Sequence, residues 1–307
     1  MRIILVGQAA FAEQVLDRLV GRGDVVAAVC CPPAPPDAKP DPVKVRAQAL
    51  GIPVRQHRSL KAPEVVEEFR AAAADLAVLA YVTQIVPATV IDIPRHGTIC
   101  FHPSLLPRYR GGSAINWQII RGEVRTGVTV FWTDAGIDTG PILLQREAEI
   151  GADDTAGSLY YAKLFPLGVD AVVAAVAAVD AGTAPRIIQD ERAATYDPLC
   201  RDEHAAVEWD RPAIEIYNLI RGCDPQPGAF TLIGGRRVRL HDARREDGAG
   251  AASAPGTVIG LGADGLRVAA RGGSLRIGRL RPEGERGKLA AAEFAAAVGL
   301  RAGTIIG

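Results

Sequence analysis

Cysteine is scarce and carries no pairing pattern. The five residues Cys30, Cys31, Cys100, Cys200 and Cys223 are odd in number and include no CxxC spacing. That excludes a zinc site and a disulfide framework, and a reducing cytoplasm is the compartment expected. An excess of one charge is also missing. Thirty-five basic side chains stand against thirty-five acidic ones, which excludes a globally basic nucleic-acid or membrane-surface binder. With 48% apolar and 23% charged residues, the low hydrophobicity and charge imbalance of a disordered chain are absent too. Long apolar runs are lacking: the most apolar helical stretch, Ala171–Val179, is nine residues, against the roughly 20 of a membrane span. No membrane association is therefore expected. The N-terminus offers one basic residue, Arg2, and a short apolar run before Gln8, Glu13, Asp17 and Arg18, which does not read as a signal peptide. Only five of the basic residues are lysine, a coding habit to which no function attaches.

What is present is a two-part pattern over 307 residues, about twice a modal domain. The first two-thirds alternates short apolar runs of buried-strand type with helical segments. The runs are Ile3–Val6, Val25–Cys30, Leu76–Ala80, Thr98–Phe101 and Val128–Trp132. Helical patterns occupy Phe11–Val20, the segment opened by Pro63, and the stretch after Pro166 that stops at Ala181-Gly182. This alternation predicts an α/β fold whose mostly parallel sheet carries helices on both faces and binds ligands beyond its strand ends. Periodicity is lost from Pro185 to about Trp209, a linker. After a short helix near Ala213–Ile220, strands are expected at Arg237–His241, Thr257–Ile259, Leu266–Ala269 and Leu275–Leu280, a small β-barrel. Residues 208–307 hold 15 basic and 11 acidic side chains, a +4 surface that either meets RNA phosphates or is merely solvated. Glu246–Ala254 reads as a flexible loop and the proline-rich Pro32–Pro42 as a surface loop.

The turn after the first run, Gly7-Gln8-Ala9-Ala10-Phe11-Ala12, has one glycine where a dinucleotide fingerprint needs three. An NAD-linked oxidoreductase is disfavoured. The segment His102-Pro-Ser-Leu-Leu-Pro-Arg108-Tyr-Arg110-Gly-Gly leaves a buried strand and enters a loop closed by prolines and glycines. Arg108 and Arg110 suit an anionic substrate group, while a strand-end histidine serves structure or chemistry. A second polar strand end, Thr133-Asp134-Ala-Gly136-Ile137-Asp138-Thr139-Gly140, brings two carboxylates. His102 and Asp138 would meet across the ligand crevice as a proton-transfer pair; the alternative is a turn with an aspartate cap.

Together, His102-Pro-Ser-Leu-Leu-Pro-Arg-Tyr-Arg-Gly111 and Asp134-Ala-Gly-Ile-Asp138-Thr-Gly140 resemble the signature of the folate-dependent formyltransferases. That family includes methionyl-tRNA formyltransferase, glycinamide ribonucleotide formyltransferase and the N-terminal hydrolase domain of 10-formyltetrahydrofolate dehydrogenase. The resemblance runs nearly end to end. Gly112-Ser-Ala-Ile-Asn116-Trp117, Tyr81-Val-Thr-Gln84-Ile-Val-Pro87, Asp153 to Tyr160, Leu164 to Gly168, Ala194-Thr-Tyr196 and Asn218 to Gly222 favour the hydrolase domain. The resemblance implies a Rossmann-like formyltransferase domain over residues 1–190, a linker at 191–208 and an OB-like domain at 209–307. It implies 10-formyltetrahydrofolate as donor and co-substrate, held by Gln84, Ile85 and Val86 and by Asp134, Gly136, Ile137 and Thr139, with no metal. His102 would stabilise the oxyanion formed at the formyl carbon, and Asp138 would orient it and relay the proton.

One departure stands out. Most transferases of the family carry asparagine two residues before the catalytic histidine, as a second oxyanion donor, where this chain has Cys100. A thiol donates weakly. The expected reaction is formyl transfer to a small-molecule amine, with Arg108, Arg110 and Asn116 furnishing the acceptor side. The alternatives are water as acceptor, methionyl-tRNA as acceptor, and a folate-binding module without turnover, which only Cys100 favours. The sequence does not specify the oligomeric state.

Overall fold

The structure is a computed structural model and describes residues 1–246 and 253–307; most of the expected loop Glu246–Ala254 lies outside them. In chain order the elements are β1 (Arg2–Gly7), α1 (Ala9–Arg22), β2 (Val25–Cys31), α2 (Pro42–Ala49), β3 (Val54–Gln56) and α3 (Pro63–Ala72). Next come β4 (Leu76–Ala80), α4 (Ala88–Ile91), β5 (Thr98–His102), α5 (Ala114–Ile120), β6 (Arg125–Trp132) and β7 (Ile142–Glu149). They are followed by α6 (Ala156–Leu159), α7 (Phe165–Asp180), α8 (Ala213–Gly222), β8 (Phe230–Ile233) and β9 (Arg236–Glu246). The last are β10 (Val258–Gly262), β11 (Gly265–Ala270), β12 (Gly273–Pro282), β13 (Leu289–Ala290) and α9 (Ala291–Val298).

The chain forms two compact units. The first holds residues 1–112, 126–148 and 162–197; the second holds 113–125, 149–161 and 198–307. The expected division at residues 190 and 209 was contiguous, whereas these units exchange segments because α5 and α6 group with α8.

The first unit is a seven-stranded sheet in the order β3-β2-β1-β4-β5-β6-β7. β3, β2, β1, β4 and β5 run parallel, and β6 turns antiparallel to β5. The order reverses between β1 and β4, the switch point where such sheets open a crevice. β4 is buried along its whole length, which is why it reads as an uninterrupted apolar run. α1 places Phe11, Ala12, Val15, Leu16 and Leu19 on its buried face at helical spacing and ends at Gly23, whose φ of 92° suits glycine. Asp41 caps α2 through the N–H of Val43 and also accepts the N–H of Ala9 on both oxygens. The turn after β1 is thus closed by the chain's own carboxylate.

α7 continues a helical run that begins at α6 and passes through a π-turn at Tyr160–Leu164. The whole run, Ala156–Asp180, is 25 residues with a mean hydropathy of 1.8 in its most apolar window. By length and composition alone it could cross a membrane, which corrects the nine-residue figure. The correction arises because the π-turn carries the helix past Pro166 instead of letting it start there. In the structure α7 buries Val169, Val172, Val176 and Val179 and packs against α1. Gly168 is required in it, because a Cβ there would lie 2.4 Å from the Phe101 ring.

The second unit is an antiparallel sheet in the order β10-β11-β12-β9-β8, with β13 on β12. The C-terminal residues bridge its two edges: Thr257 pairs with Ile305, and Gly307 donates its N–H to the Leu232 carbonyl at 3.0 Å. That contact curls the sheet toward a barrel. Within it, His241 is fully buried and its Nδ1–H donates to Asp224 Oδ1 at 3.1 Å, with Lys288 Nζ at the same distance. Burial opposes ionisation of Asp224, but the His241 and Lys288 contacts outweigh it and hold its carboxyl below the usual carboxylate range. The stability this contributes is present above the unfolded-state value and is lost as pH falls through the lowered one. Asp224→Asn is expected to cost about 2 kcal/mol at neutral pH, the worth of a hydrogen bond to a charged group. In urea unfolding that gap should shrink progressively below about pH 4; a gap unchanged down to pH 2 would refute the assignment.

Candidate active site

His102 ends β5 and is 5% exposed. Its Nε2 lies 2.8 Å from the Tyr109 carbonyl oxygen. A carbonyl only accepts, so Nε2 carries a proton and Nδ1 is the nitrogen whose proton can come and go. Nδ1 stands 3.4 Å from Asp138 Oδ2, an ion-pair distance longer than a good hydrogen bond. The loop that supplies the Tyr109 carbonyl is pinned from both sides. Ser104 Oγ donates to the Arg108 carbonyl, Thr129 Oγ1 donates to the Ser104 carbonyl, and Gln145 Nε2 donates to the Leu106 carbonyl. On the far side, residues 194–197 run beside it: the Tyr109 N–H donates to Thr195 Oγ1 at 2.7 Å, and Arg110 bridges to Tyr196.

Asp138 reaches the histidine by a route that strand ends alone do not suggest. Because β6 is antiparallel, Trp132 lies beside Ile99 at the start of β5, and the 133–141 loop must turn back to meet His102. Asp134 organises this loop, its Oδ1 accepting from the Gly136 N–H and Thr139 Oγ1. Glycine is obligatory at two places in it. A Cβ on Gly136 would sit 2.0 Å from Thr139 Oγ1, and one on Gly140 would sit 1.7 Å from the Trp132 carbonyl oxygen. Asp138 itself holds φ at 57°. Its Oδ2 accepts the Gly111 N–H at 2.8 Å and also faces His102 Nδ1, so both contacts fall on one oxygen and Oδ1 is left to exchange a proton.

Other expected site residues have different employment. Arg110 is 6% exposed and directs its guanidinium inward, to Glu191 at 2.7 and 2.9 Å and to Gln189 Oε1 at 2.9 and 3.3 Å. Its fork is engaged by these two side chains. Asn116 belongs to the second unit, where its Nδ2 donates to the carbonyls of Gly222 and Gln226. Arg108 is the exposed cation of the motif, lying over the Tyr109 ring. Gln84 bonds the Leu60 N–H and the His57 carbonyl, so its side chain braces a neighbouring loop, and Val86 packs on the core; Ile85 between them projects outward.

Hollows open on the first unit. One, among Gly7, Gln8, Cys31, His57, Tyr81 and Gln84, has about 20 Å³ of room, enough for a water or two. Another holds about 300 Å³ and is lined by Arg110, Ile137, Thr139, Ala194, Thr195 and Tyr196. Of these two, the second has the size of a ligand site.

Residues 1–176 match the formyl transferase family, and residues 200–298 match its C-terminal domain. The chain belongs to the formyl transferase family. Among its relatives, a methionyl-tRNA formyltransferase from Geotalea uraniireducens is 39% identical over 312 residues, covering 100% of this chain and 98% of that protein. A cytosolic 10-formyltetrahydrofolate dehydrogenase from Xenopus tropicalis is 44% identical over 243 residues, 78% of this chain but only 27% of the relative. The chain therefore spans about a quarter of the length of the dehydrogenases it matches. The fold is shared with HypX from Aquifex aeolicus in complex with tetrahydrofolic acid, at a TM-score of 0.70 and 21% identity over 96% of this chain and 47% of that one.

Within this formyl transferase, Cys100 shares the strand face of His102 by the two-residue period of β5. Burial, and then the charge of Asp138, push its thiol well above the usual value, so it stays neutral, and its Sγ lies 3.5 Å from the Phe101 carbonyl. Cys100→Asn would place an amide donor beside His102. The expected result is a rise in kcat of about tenfold or more, given that one oxyanion donor is typically worth 10²–10³. An unchanged or lower kcat in a folded variant would mean that another group already fills that role. Gln189 and Glu191 escaped sequence reasoning. Gln189 Nε2 donates to the carbonyls of Asp138 and Gly140 at 2.9 and 2.7 Å, linking Arg110 to the Asp138 loop from an aperiodic stretch with no motif.

Proposed function

We propose that the protein removes the formyl group of 10-formyltetrahydrofolate at His102 and Asp138 and passes it to a small-molecule amine, with water competing for the same carbon. The observation that carries this is the His102–Asp138 pair, 3.4 Å apart and held by a buried hydrogen-bonded frame, in a chain of the formyl transferase family. The names of its dehydrogenase relatives and the tetrahydrofolic acid in the HypX complex support the donor. The donor would lie against the outward-facing Ile85 and Ile137, meeting the Gln84 position through backbone, because its amide is engaged. Asp134, Gly136 and Thr139 would shape the loop beneath it and Val86 would contribute through the core.

In the reaction the amine nitrogen attacks the formyl carbon and the carbonyl π-electrons move to oxygen. Asp138 Oδ1 takes the proton the amine loses. The His102 ring stabilises the oxyanion. Collapse breaks the bond to N10 of the folate, which receives a proton in turn.

Methionyl-tRNA as acceptor is the second reading, favoured by the full-length 39% match. Against it, several arginines of the second unit are engaged by its own carboxylates. Arg237 and Arg239 pair with Asp202, Arg267 with Asp264 and Glu246, Arg276 with Glu246, and Arg236 with Glu285. Loss of 10-formyltetrahydrofolate should be followed with no acceptor, with small amines and with methionyl-tRNA. Amine-dependent loss is the expected result. Loss without acceptor makes water the acceptor, and dependence on charged tRNA with a steep salt response supports the second reading. Folate binding with no loss in any arm would refute catalysis.

A further inference from the structure

Two of the five cysteines meet in the second unit, 23 residues apart in sequence. Cys200 Sγ and Cys223 Sγ are 3.9 Å apart, so forming a bond of about 2.05 Å requires an approach of only about 1.9 Å. Cys223 follows the last turn of α8 and is fully buried. Cys200 sits in an extended segment, half-buried, with its N–H donated to Ser113 Oγ at 2.9 Å. The segment of Cys200 is thus held by Ser113, and the end of α8 is held by Asn116 through the Gly222 carbonyl. A covalent link between the two sulfurs would join two strands of chain that these side chains already hold in place.

We propose that Cys200 and Cys223 are a redox modification site that a hydroperoxide converts to a reversible disulfide. The Cys200 thiolate attacks one peroxide oxygen, the O–O bond breaks, and a sulfenic acid and hydroxide result. The Cys223 sulfur then attacks the Cys200 sulfur and hydroxide leaves, so that two thiols and hydrogen peroxide yield one disulfide and two waters. Exposure favours this division of roles. Cys200 is half-buried whereas Cys223 is fully buried, and either sulfur can donate in the contact between them. Burial pushes Cys30 up to about 12 and Cys31 to about 11, and raises Cys100 as well. Those three thiols are thereby held neutral, and Cys200 is the member of the pair accessible to a small oxidant.

The experiment is to treat the reduced full-length protein with hydrogen peroxide, alkylate the remaining thiols and map peptides without reduction. The expected result is a mass loss of about 2 Da, from two hydrogens, in a peptide pair joining Cys200 to Cys223. Cys30, Cys31 and Cys100 should be recovered alkylated, and dithiothreitol should reverse the change. The oxidised protein should also melt several degrees higher, roughly the effect of closing a loop of this length. Cys200→Ser should abolish both the link and the shift. Cys223→Ser should leave a sulfenic acid on Cys200 that dimedone traps. The mapping of the unsubstituted chain decides the matter even where a variant fails to fold. A Cys30–Cys31 link, over-oxidised Cys200 without a link, or five alkylated thiols after peroxide would each overturn the proposal.

Discussion

Replacing Asp138 with asparagine is expected to lower kcat for formyl loss by about 10³, the span usual for a positioned acid–base group, while leaving the melting temperature near that of the parent. Asparagine is the informative substitution for a conformational reason. Asp138 holds φ at 57°, a region that asparagine enters readily and alanine enters at a cost of about 1–2 kcal/mol. An asparagine carbonyl can still accept the Gly111 N–H that Oδ2 now accepts at 2.8 Å. What it cannot do is receive a proton or offer a negative charge to the His102 ring 3.4 Å away. A loss confined to kcat therefore reports chemistry, not collapse of the loop. His102→Ala should produce a comparable loss, and the double variant little more, because the two act as a unit. Asp138→Asn with activity within about tenfold of the parent would sink the proton-transfer role and leave Asp138 as a loop cap.

The parts of this fold that could be read from sequence are those where burial imposes a single pattern. β4 is apolar from Leu76 to Ala80 because both its faces are covered, and α1 and α7 show their buried stripes at helical spacing. β3 and β7 are edge strands of the same sheet. β3 has three residues, two of them polar, and β7 exposes much of its second half, so neither leaves an apolar run to find. The direction of β6 was equally hidden. Apolar content reports burial, not strand direction, so the expectation of a mostly parallel sheet held while the antiparallel setting of β6 beside β5 could not be located in advance. As a result Asp138 approaches His102 by a loop that doubles back, which no strand-end argument anticipates.

The site was legible where the chemistry is local and illegible where it is relayed. His102 and Asp138 stood out as polar residues following buried strands. Gln189 and Glu191 lie about 80 residues beyond Arg110 in a stretch without periodicity, and nothing in their spacing announces a partner. Cys200 and Cys223 were unreadable for the same reason: contact between them depends on where α8 ends, not on the 23 residues that separate them. Arg110 and Asn116 show the converse situation. Both are residue types suited to a ligand, yet their donors are satisfied inside the protein. Arg108 is the exposed cation of the motif.

Arg110 provides the decisive comparison between a structural and a substrate-binding guanidinium. Arg110→Met keeps the volume of the stem and removes the fork. The lost partners are Glu191, whose carboxylate reaches solvent, and the Oε1 of Gln189, which is 5% exposed. Orphaning that buried oxygen is expected to cost about 1–3 kcal/mol, a drop of several degrees in melting temperature at roughly 2–4 °C per kcal/mol. Gln189 would then hold the Asp138 and Gly140 carbonyls less firmly, so kcat should fall by about tenfold or more, as expected when an aligned group is loosened. KM for the formyl acceptor should hardly move. An acceptor-binding arginine would give the opposite signature, a raised acceptor KM with unchanged stability and kcat. Arg110→Lys should resemble Arg110→Met, because an ammonium cannot engage Glu191 and Gln189 with the same planar fork. Full recovery by lysine, or a change in KM alone, would return Arg110 to the substrate.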